Sequence, residues 1–404
     1  MNRKKRLVML CLGIIFTLTL LVAGCGSPKE TSNNSGETET KTETKTINIG
    51  WSGPLSGGAA LYGQDTVLGV KMAIDEINGQ GGITVNDQKY SFNLITLDDQ
   101  YMPNLAANNA RRLKLENQAP VIFVPHSGGI FALQEFNQTD NFLLAAFSSD
   151  PKITERGNNL TLRIPPPYDM FSEPFSKMAM DKFGKKLALL PSTTAYSKDW
   201  AVRIDAAWKK LGGNVVTNIP FDYNKETDFT TYVSKALAAK PDVIFVGGTA
   251  QPSAMVIKQA RQLGFKGGFI TTETGNLTRM ETLISAQDLT GVVSILPFAK
   301  YDDPGISTYV DKFKSKNSKV PVWENVWNYE SMWLIAKGME KAQNVDDPSK
   351  IFEGMKQSLP LNGDNFPVEL KGIDSKGGLM ADSSAVMYDN GKYNNSVKIP
   401  YNTK

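Results

Sequence analysis

The residues able to do chemistry are few, and they sit in loops. Among 404 residues there is one histidine, His126, and two cysteines, Cys11 and Cys25. His126 begins the loop His126-Ser127-Gly128-Gly129, just past the apolar run Val121-Ile122-Phe123-Val124. A second loop, Phe147-Ser148-Ser149, follows the run Phe142-Leu143-Leu144-Ala145. Hydroxyls and bare backbone N–H groups at helix starts favour an anion, and glycines there let a ligand come close to the backbone. A simple N-cap before Asp150-Pro151 is the competing reading of Ser148-Ser149. As a general base His126 lacks the partners that role needs. It is either a cleft residue donating a hydrogen bond to a ligand or a loop histidine facing solvent. The sequence has no HExxH, no phosphate-binding loop and no Asp-rich loop with calcium-site spacing. Beyond Cys25 there is no thiol, so disulfides, thiolate catalysis and cysteine-metal sites are excluded there. These residue types point to binding rather than turnover, with no cofactor and no metal.

The N-terminus reads as an export device. Arg3, Lys4, Lys5 and Arg6 precede an apolar run from Leu7 to Gly24, a pattern of secretory signals more than of spanning helices. The run ends in Val22-Ala23-Gly24-Cys25, which resembles the lipobox of bacterial lipoproteins. The resemblance implies that residues 1–24 are removed and that Cys25 carries lipid, anchoring the chain to the outer face of a cell membrane, in a Gram-positive bacterium. An ordinary signal peptide with an incidental Cys25 is the alternative. From Gly26 to Thr46 there is no apolar side chain, so this stretch cannot offset its chain entropy by burial. Residues 25–46 are therefore expected to be a disordered tether. The chain holds 44 Lys and Arg against 41 Asp and Glu, and four of the basic residues lie in the signal. The remaining balance gives no argument for nucleic acid as a partner.

The elements that must position the loops alternate in type. Ile47, Ile49 and Trp51 predict a strand; Val70, Ala73, Ile74 and Ile77 recur at helical spacing until Gly79 and Gly81-Gly82. A strand over Phe92–Leu97, a helix over Asn104–Leu115 after Pro103, and the two apolar runs follow. The alternation restarts with a strand over Leu187–Leu190, a helix striped by Ala201, Ile204, Trp208 and Leu211, and a strand at Val243-Ile244-Phe245-Val246. A helix over Ser253–Leu263 and a strand over Gly268–Thr271 come next. Continuous apolar strands between helices are covered on both faces, hence a mostly parallel sheet. Val-Ile-Phe-Val occurs twice in matching contexts, which suggests two similar α/β lobes, the chain passing between them near Pro165-Pro166-Pro167. Ligands of such sheets bind beyond the carboxyl ends of the strands.

Trp51-Ser52-Gly53-Pro54-Leu55-Ser56-Gly57, Tyr62-Gly63, Ile77-Asn78, Gly81-Gly82-Ile83, Asp98-Asp99 with Pro103, Pro151 to Gly157, Tyr196, Asp228-Phe229, Glu273 and Asn328-Tyr329-Glu330 together resemble one family. These are the extracellular binding proteins of branched-chain amino-acid-type ABC importers, the type I periplasmic binding proteins. The likeness covers nearly everything after Thr46. It implies an α/β fold of two doubly wound parallel-sheet lobes joined by a three-segment hinge, with the ligand in the cleft between them. Lobe one would hold residues 47–165 and 297–361, and lobe two residues 166–296 and 362–404.

The resemblance also implies a site. In relatives that bind amino acids the carboxylate meets loop hydroxyls and N–H groups of lobe one, here Ser127, Gly128, Ser148 and Ser149 with His126 and Phe147 beside them. Tyr196 and Glu273 of lobe two match residues that hold the ammonium, because a carboxylate in a closing cleft is costly unless paired. A Glu273 that is solvated or bridged to a Lys or Arg is the alternative. Tyr62 matches an aromatic residue over the ligand side chain, or is packed core, and Thr249 lies in the facing loop. Trp323, Trp327 and Trp333 fit core packing, with Trp323 able to reach the cleft rim. The implied function is capture of a small polar ligand, an amino acid before an amide, urea or aromatic acid, and delivery by a monomer to an ABC permease. A sensory protein presenting ligand to a receptor uses the same clamp.

Overall fold

The computed structural model describes residues 43–363 and 366–401. The expected signal 1–24, the lipidated Cys25 and most of the tether lie outside the described residues. Among the described residues no helix is long and apolar enough to cross a membrane.

Two sheets carry the fold. The first is built from β1 (Lys45–Gly53), β2 (Ile83–Val85), β3 (Gln88–Asp98), β4 (Val121–Val124), β5 (Leu143–Ala146) and β6 (Thr161–Arg163), in the order β2-β3-β1-β4-β5-β6. Its helices are α1 (Ala60–Gly79), α2 (Pro103–Leu115), α3 (Ser127–Gln134) and α4 (Lys152–Glu155). β1, β3, β4, β5 and β6 run parallel, and β4 and β5 are buried at every position, as their unbroken apolar runs require. β1 starts at Lys45, two residues inside the stretch expected as tether, because Lys45 and Thr46 extend the ladder to Tyr90 and Ser91.

The chain leaves the first sheet after Arg163 and, through α5 (Asp169–Phe183), enters the second. There β7 (Lys186–Pro191), β8 (Asn214–Asn218), β9 (Val243–Gly247), β10 (Gly268–Thr271) and β11 (Val292–Ile295) alternate with α6 (Ala195–Lys210), α7 (Thr230–Ala238), α8 (Ala250–Gln262) and the short α9 (Leu277–Met280). Three helices, α10 (Ile306–Asn317), α11 (Trp323–Ala342) and α12 (Pro348–Gln357), then intervene, and α11 lies along α1. A short ribbon of β12 (Gly372–Ile373) and β13 (Leu379–Met380) precedes β14 (Ser383–Asp389) and β15 (Lys392–Ile399), which complete the order β15-β14-β11-β10-β9-β7-β8. The sheets are mixed, not purely parallel. β2 pairs antiparallel with β3, and β14 with both β11 and β15. Short hairpins make β2-β3 and β14-β15, whereas β14 reaches β11 only after the three intervening helices.

In each sheet the strand order reverses beside the first strand to be laid down, at β1/β4 and at β7/β9. Such switch points open a crevice beyond the strand ends. Register aligns them: Val124 pairs with Ala146, Pro191 with Gly247, and Thr271 with Val246, so the loops that follow leave side by side. The halves also approach closely. A Cβ on Gly58, in the loop after β1, would strike the carbonyl oxygen of Tyr223 in the second half, so only glycine fits there.

Candidate functional site

Nearly every residue that lines the crevice lies a few positions past a strand end. A small cavity of about 10 Å³ is walled by Tyr62, His126, Phe147, Ser148 and Ser149 from the first half and by Tyr196, Glu273 and Thr274 from the second. Tyr101, Pro125, Pro165 and Trp323 complete it. Seven of the ten expected site residues thus meet: Tyr62, His126, Phe147, Ser148, Ser149, Tyr196 and Glu273.

Glu273 is the centre of the arrangement. Two residues past β10, it is fully buried (0 % exposed), and three donors converge on it. Tyr196 Oη and Ser149 Oγ donate to Oε1, and Trp200 Nε1 donates to Oε2 at 2.9 Å. Burial raises its carboxyl above the usual range, while these hydrogen bonds oppose the rise. Among the described residues no Lys or Arg pairs with it, so the expected alternative of a structural ion pair is not what the structure holds. Ser149 comes from the first half and Tyr196 and Trp200 from the second. The two ends of the expected site therefore touch each other directly: a buried carboxylate accepts from whichever hydroxyl reaches it.

His126 differs from both expectations. It is 1 % exposed, so it does not face solvent, and neither ring nitrogen is free for a ligand. Nδ1 accepts from Gly129 N at 2.9 Å as the N-cap of α3, and Nε2 lies 3.0 Å from Asp99 Oδ2. Since Nδ1 accepts, the proton sits on Nε2 and is donated to Asp99. Asp99 is further held by Ser52 Oγ at 3.0 Å and accepts from Tyr101 N at 2.9 Å. Tyr101 stacks on the imidazole, ring centroids 4.5 Å apart. His126 is thus a wall and a buttress, fixing the start of α3.

Ser127 and Gly128 are not in the lining. Ser127 Oγ is 2.8 Å from Ser148 Oγ and so braces the residue that does reach the cavity. Gly128 is half-buried beside Pro103, whose ring a Cβ would meet at 2.9 Å. Neither Ser148 nor Ser149 caps a helix; α4 has Pro151 at its N-cap and no side-chain cap. Tyr62 is buried and donates to Pro125 O at 2.6 Å. Thr249 is displaced from Glu273 and lines a neighbouring cavity instead, with Asp65, Asn276, Arg279 and Glu324. Trp327 is core, whereas Trp323 is both core and cavity wall.

Sequence reasoning passed over Tyr101, Thr274, Asp65, Arg279 and Glu324. Tyr101 had a signal: Gln100 and Tyr101 adopt φ of 54° and 65°, supported by Asp98 and Asp99 side chains accepting from their N–H groups at 2.9 Å. The Asp98-Asp99 pair is a turn signature. Among the described residues no group of three or more His, Cys, Asp or Glu could hold a metal ion.

Comparison with known proteins agrees with this architecture. The family model described as "Periplasmic binding protein" matches residues 46–392. A leucine-, isoleucine-, valine-, threonine- and alanine-binding protein of Pseudomonas aeruginosa is 27 % identical over 338 residues, which cover 83 % of this chain and 87 % of that protein. Among solved structures, a leucine-binding protein from Thermotoga maritima superposes with a TM-score of 0.76 at 21 % identity, covering 88 % of this chain and 99 % of that one. A benzoate-bound solute-binding protein of an ABC transporter from R. palustris also has a TM-score of 0.76, at 16 % identity, over 88 % of this chain and 96 % of that one. The chain belongs to the periplasmic binding protein family and is a solute-binding protein, not an enzyme.

Proposed function

We propose that the chain captures a small zwitterion, an α-amino acid, between its two sheets and delivers it to an ABC permease. The observation that carries this reading is Glu273: a fully buried carboxylate that accepts from three neutral donors drawn from both halves and has no cationic partner among the described residues. A ligand ammonium would supply that charge, displacing Ser149 Oγ, which would then turn with Ser148 toward the ligand carboxylate. Amino-acid-binding relatives support the choice of ligand. The cavity of about 10 Å³ holds no more than about one water, while small-molecule sites occupy on the order of 300–1,000 Å³. Entry of a ligand therefore requires the walls to separate, which supports a clamp with lobes 47–165 plus 297–361 and 166–296 plus 362–404 turning about their three connections. Lipid on Cys25 would hold the clamp at the membrane beside its permease.

The benzoate-bound neighbour and the aromatic lining favour an aromatic acid as the second reading. A thermal-shift panel separates the two. Ligand at about 100 times its Kd stabilises by about 2.7 kcal/mol. An α-amino acid is expected to raise Tm and benzoate to leave it unchanged, because benzoate brings a second anion toward Glu273. A rise with benzoate alone would replace the amino-acid reading.

A further inference from the structure

The crevice continues past Tyr62. A second cavity, also about 10 Å³, adjoins the first, and Tyr62 and Thr274 line both. Its character is different. Asp65, Gln251, Asn276, Arg279 and Glu324 supply polar groups, and Leu61 is the one large aliphatic side chain in its lining. Asp65 and Arg279 satisfy each other, with Nη2 2.6 Å from both carboxylate oxygens. Glu324 is less well served. It is 2 % exposed, and the side-chain donor to its carboxyl is Asn276 Nδ2, at 2.9 and 3.2 Å from the two oxygens. A carboxyl group offers about four acceptor positions, and here one amide nitrogen is shared between both oxygens. Burial, with Asp65 behind it, pushes Glu324 up to about 8, so near neutral pH it also holds an O–H to donate.

Because Tyr62 and Thr274 border both cavities, a ligand anchored between Ser149 and Glu273 and extended past Tyr62 would end among these groups. An aliphatic branch would remove their water and return no hydrogen bond, whereas a group that both donates and accepts restores it. We infer that this compartment receives the distal end of the ligand, and that this end carries a carboxamide rather than a bare hydrocarbon. The inference rests on the cleft reading proposed above.

The test compares amino acids of matched shape by calorimetric titration of the exported chain: asparagine against leucine, and glutamine against methionine. The amide is expected to bind at least about tenfold tighter in one or both pairs. Glu324→Met is expected to erase that preference. Should this buried change unfold the chain, Gln251→Leu, at an exposed rim position, is expected to reduce the preference without touching the core. Leucine and methionine binding as tightly as asparagine and glutamine would overturn the inference and leave the amino-acid reading standing. Binding by none of the four would overturn the inference, and the amino-acid reading would fall with it if no α-amino acid in the thermal-shift panel binds.

Discussion

Asp65 and Arg279 stand 214 residues apart in the chain and share a forked ion pair, with Arg279 Nη2 at 2.6 Å from both carboxylate oxygens and Nε at 3.1 Å from one. Asp65 rides on α1 over the first sheet, and Arg279 on α9 beyond β10 of the second. Neighbouring contacts support the pair: within the first half Asn325 Nδ2 donates to the Asp65 carbonyl oxygen at 2.7 Å, and across the seam Asn276 of the second half reaches Glu324. The pair is nearly buried, so its attraction is little screened.

A change that removes one partner acts on the closed form, since separated halves leave the other charge in water. Arg279→Met is expected to weaken ligand affinity by roughly one to two orders of magnitude, from about 2–3 kcal/mol lost on closing. Small-angle scattering should also give a larger radius of gyration for this variant than for the parent. Equal radii and equal affinities would show that the pair does not help hold the cleft shut.

Stability should fall as pH rises from about 4.5 to about 8. Burial raises Glu324 to about 8, from a usual value near 4.5, so between those values the folded chain holds a proton that the unfolded chain has lost. More protons bound in the folded state mean stability that is present below the unfolded value and lost as pH climbs through the folded one. Glu273 and Glu330 are raised by burial as well and act in the same direction. Calorimetric Tm from about pH 5 to about pH 9 is expected to slope downward, and less steeply in Glu324→Gln. Parallel slopes for the two proteins would remove Glu324 as a source of the dependence.

How much of this was legible follows from what each residue must do locally. The runs Val121–Val124 and Leu143–Ala146 announce themselves because a strand covered on both faces needs apolar side chains at every position. The short edge strands β2 and β8 carry no such demand and passed unnoticed. Ser148 and Ser149 were found because they follow a readable strand, and Glu273 because the family resemblance implied it. Asp65 and Glu324 were not, because a carboxylate on a helix looks like a solvated face until a facing helix covers it. That cover depends on Gly69 of α1, where a Cβ would strike the backbone of Asn325 on α11. His126 was located but its role was not, since Asp99, which accepts its Nε2 hydrogen bond, arrives from another strand end 27 residues away.

Membrane attachment is tested separately from binding. If Cys25 is lipidated, Cys25→Ala is expected to appear in the medium or to remain an uncut precursor, because stable anchoring needs more than one acyl chain at ~0.8 kcal/mol per buried CH₂. Fractionation followed by mass determination of the mature N-terminus reads this out. A variant still processed and still membrane-bound would contradict the anchor.

The central claim is that the Glu273 carboxylate receives the ligand's ammonium. Glu273→Gln keeps the side chain's shape and can still accept from Tyr196, Ser149 or Trp200, but it carries no charge. The measurement is calorimetric titration of parent and variant with the amino acid that binds the parent most tightly. Losing one partner of a buried charge pair costs roughly 2–5 kcal/mol, so affinity is expected to fall by more than about thirty-fold, with the variant's fold unchanged by circular dichroism. A variant that binds the same amino acid as tightly as the parent would contradict the account.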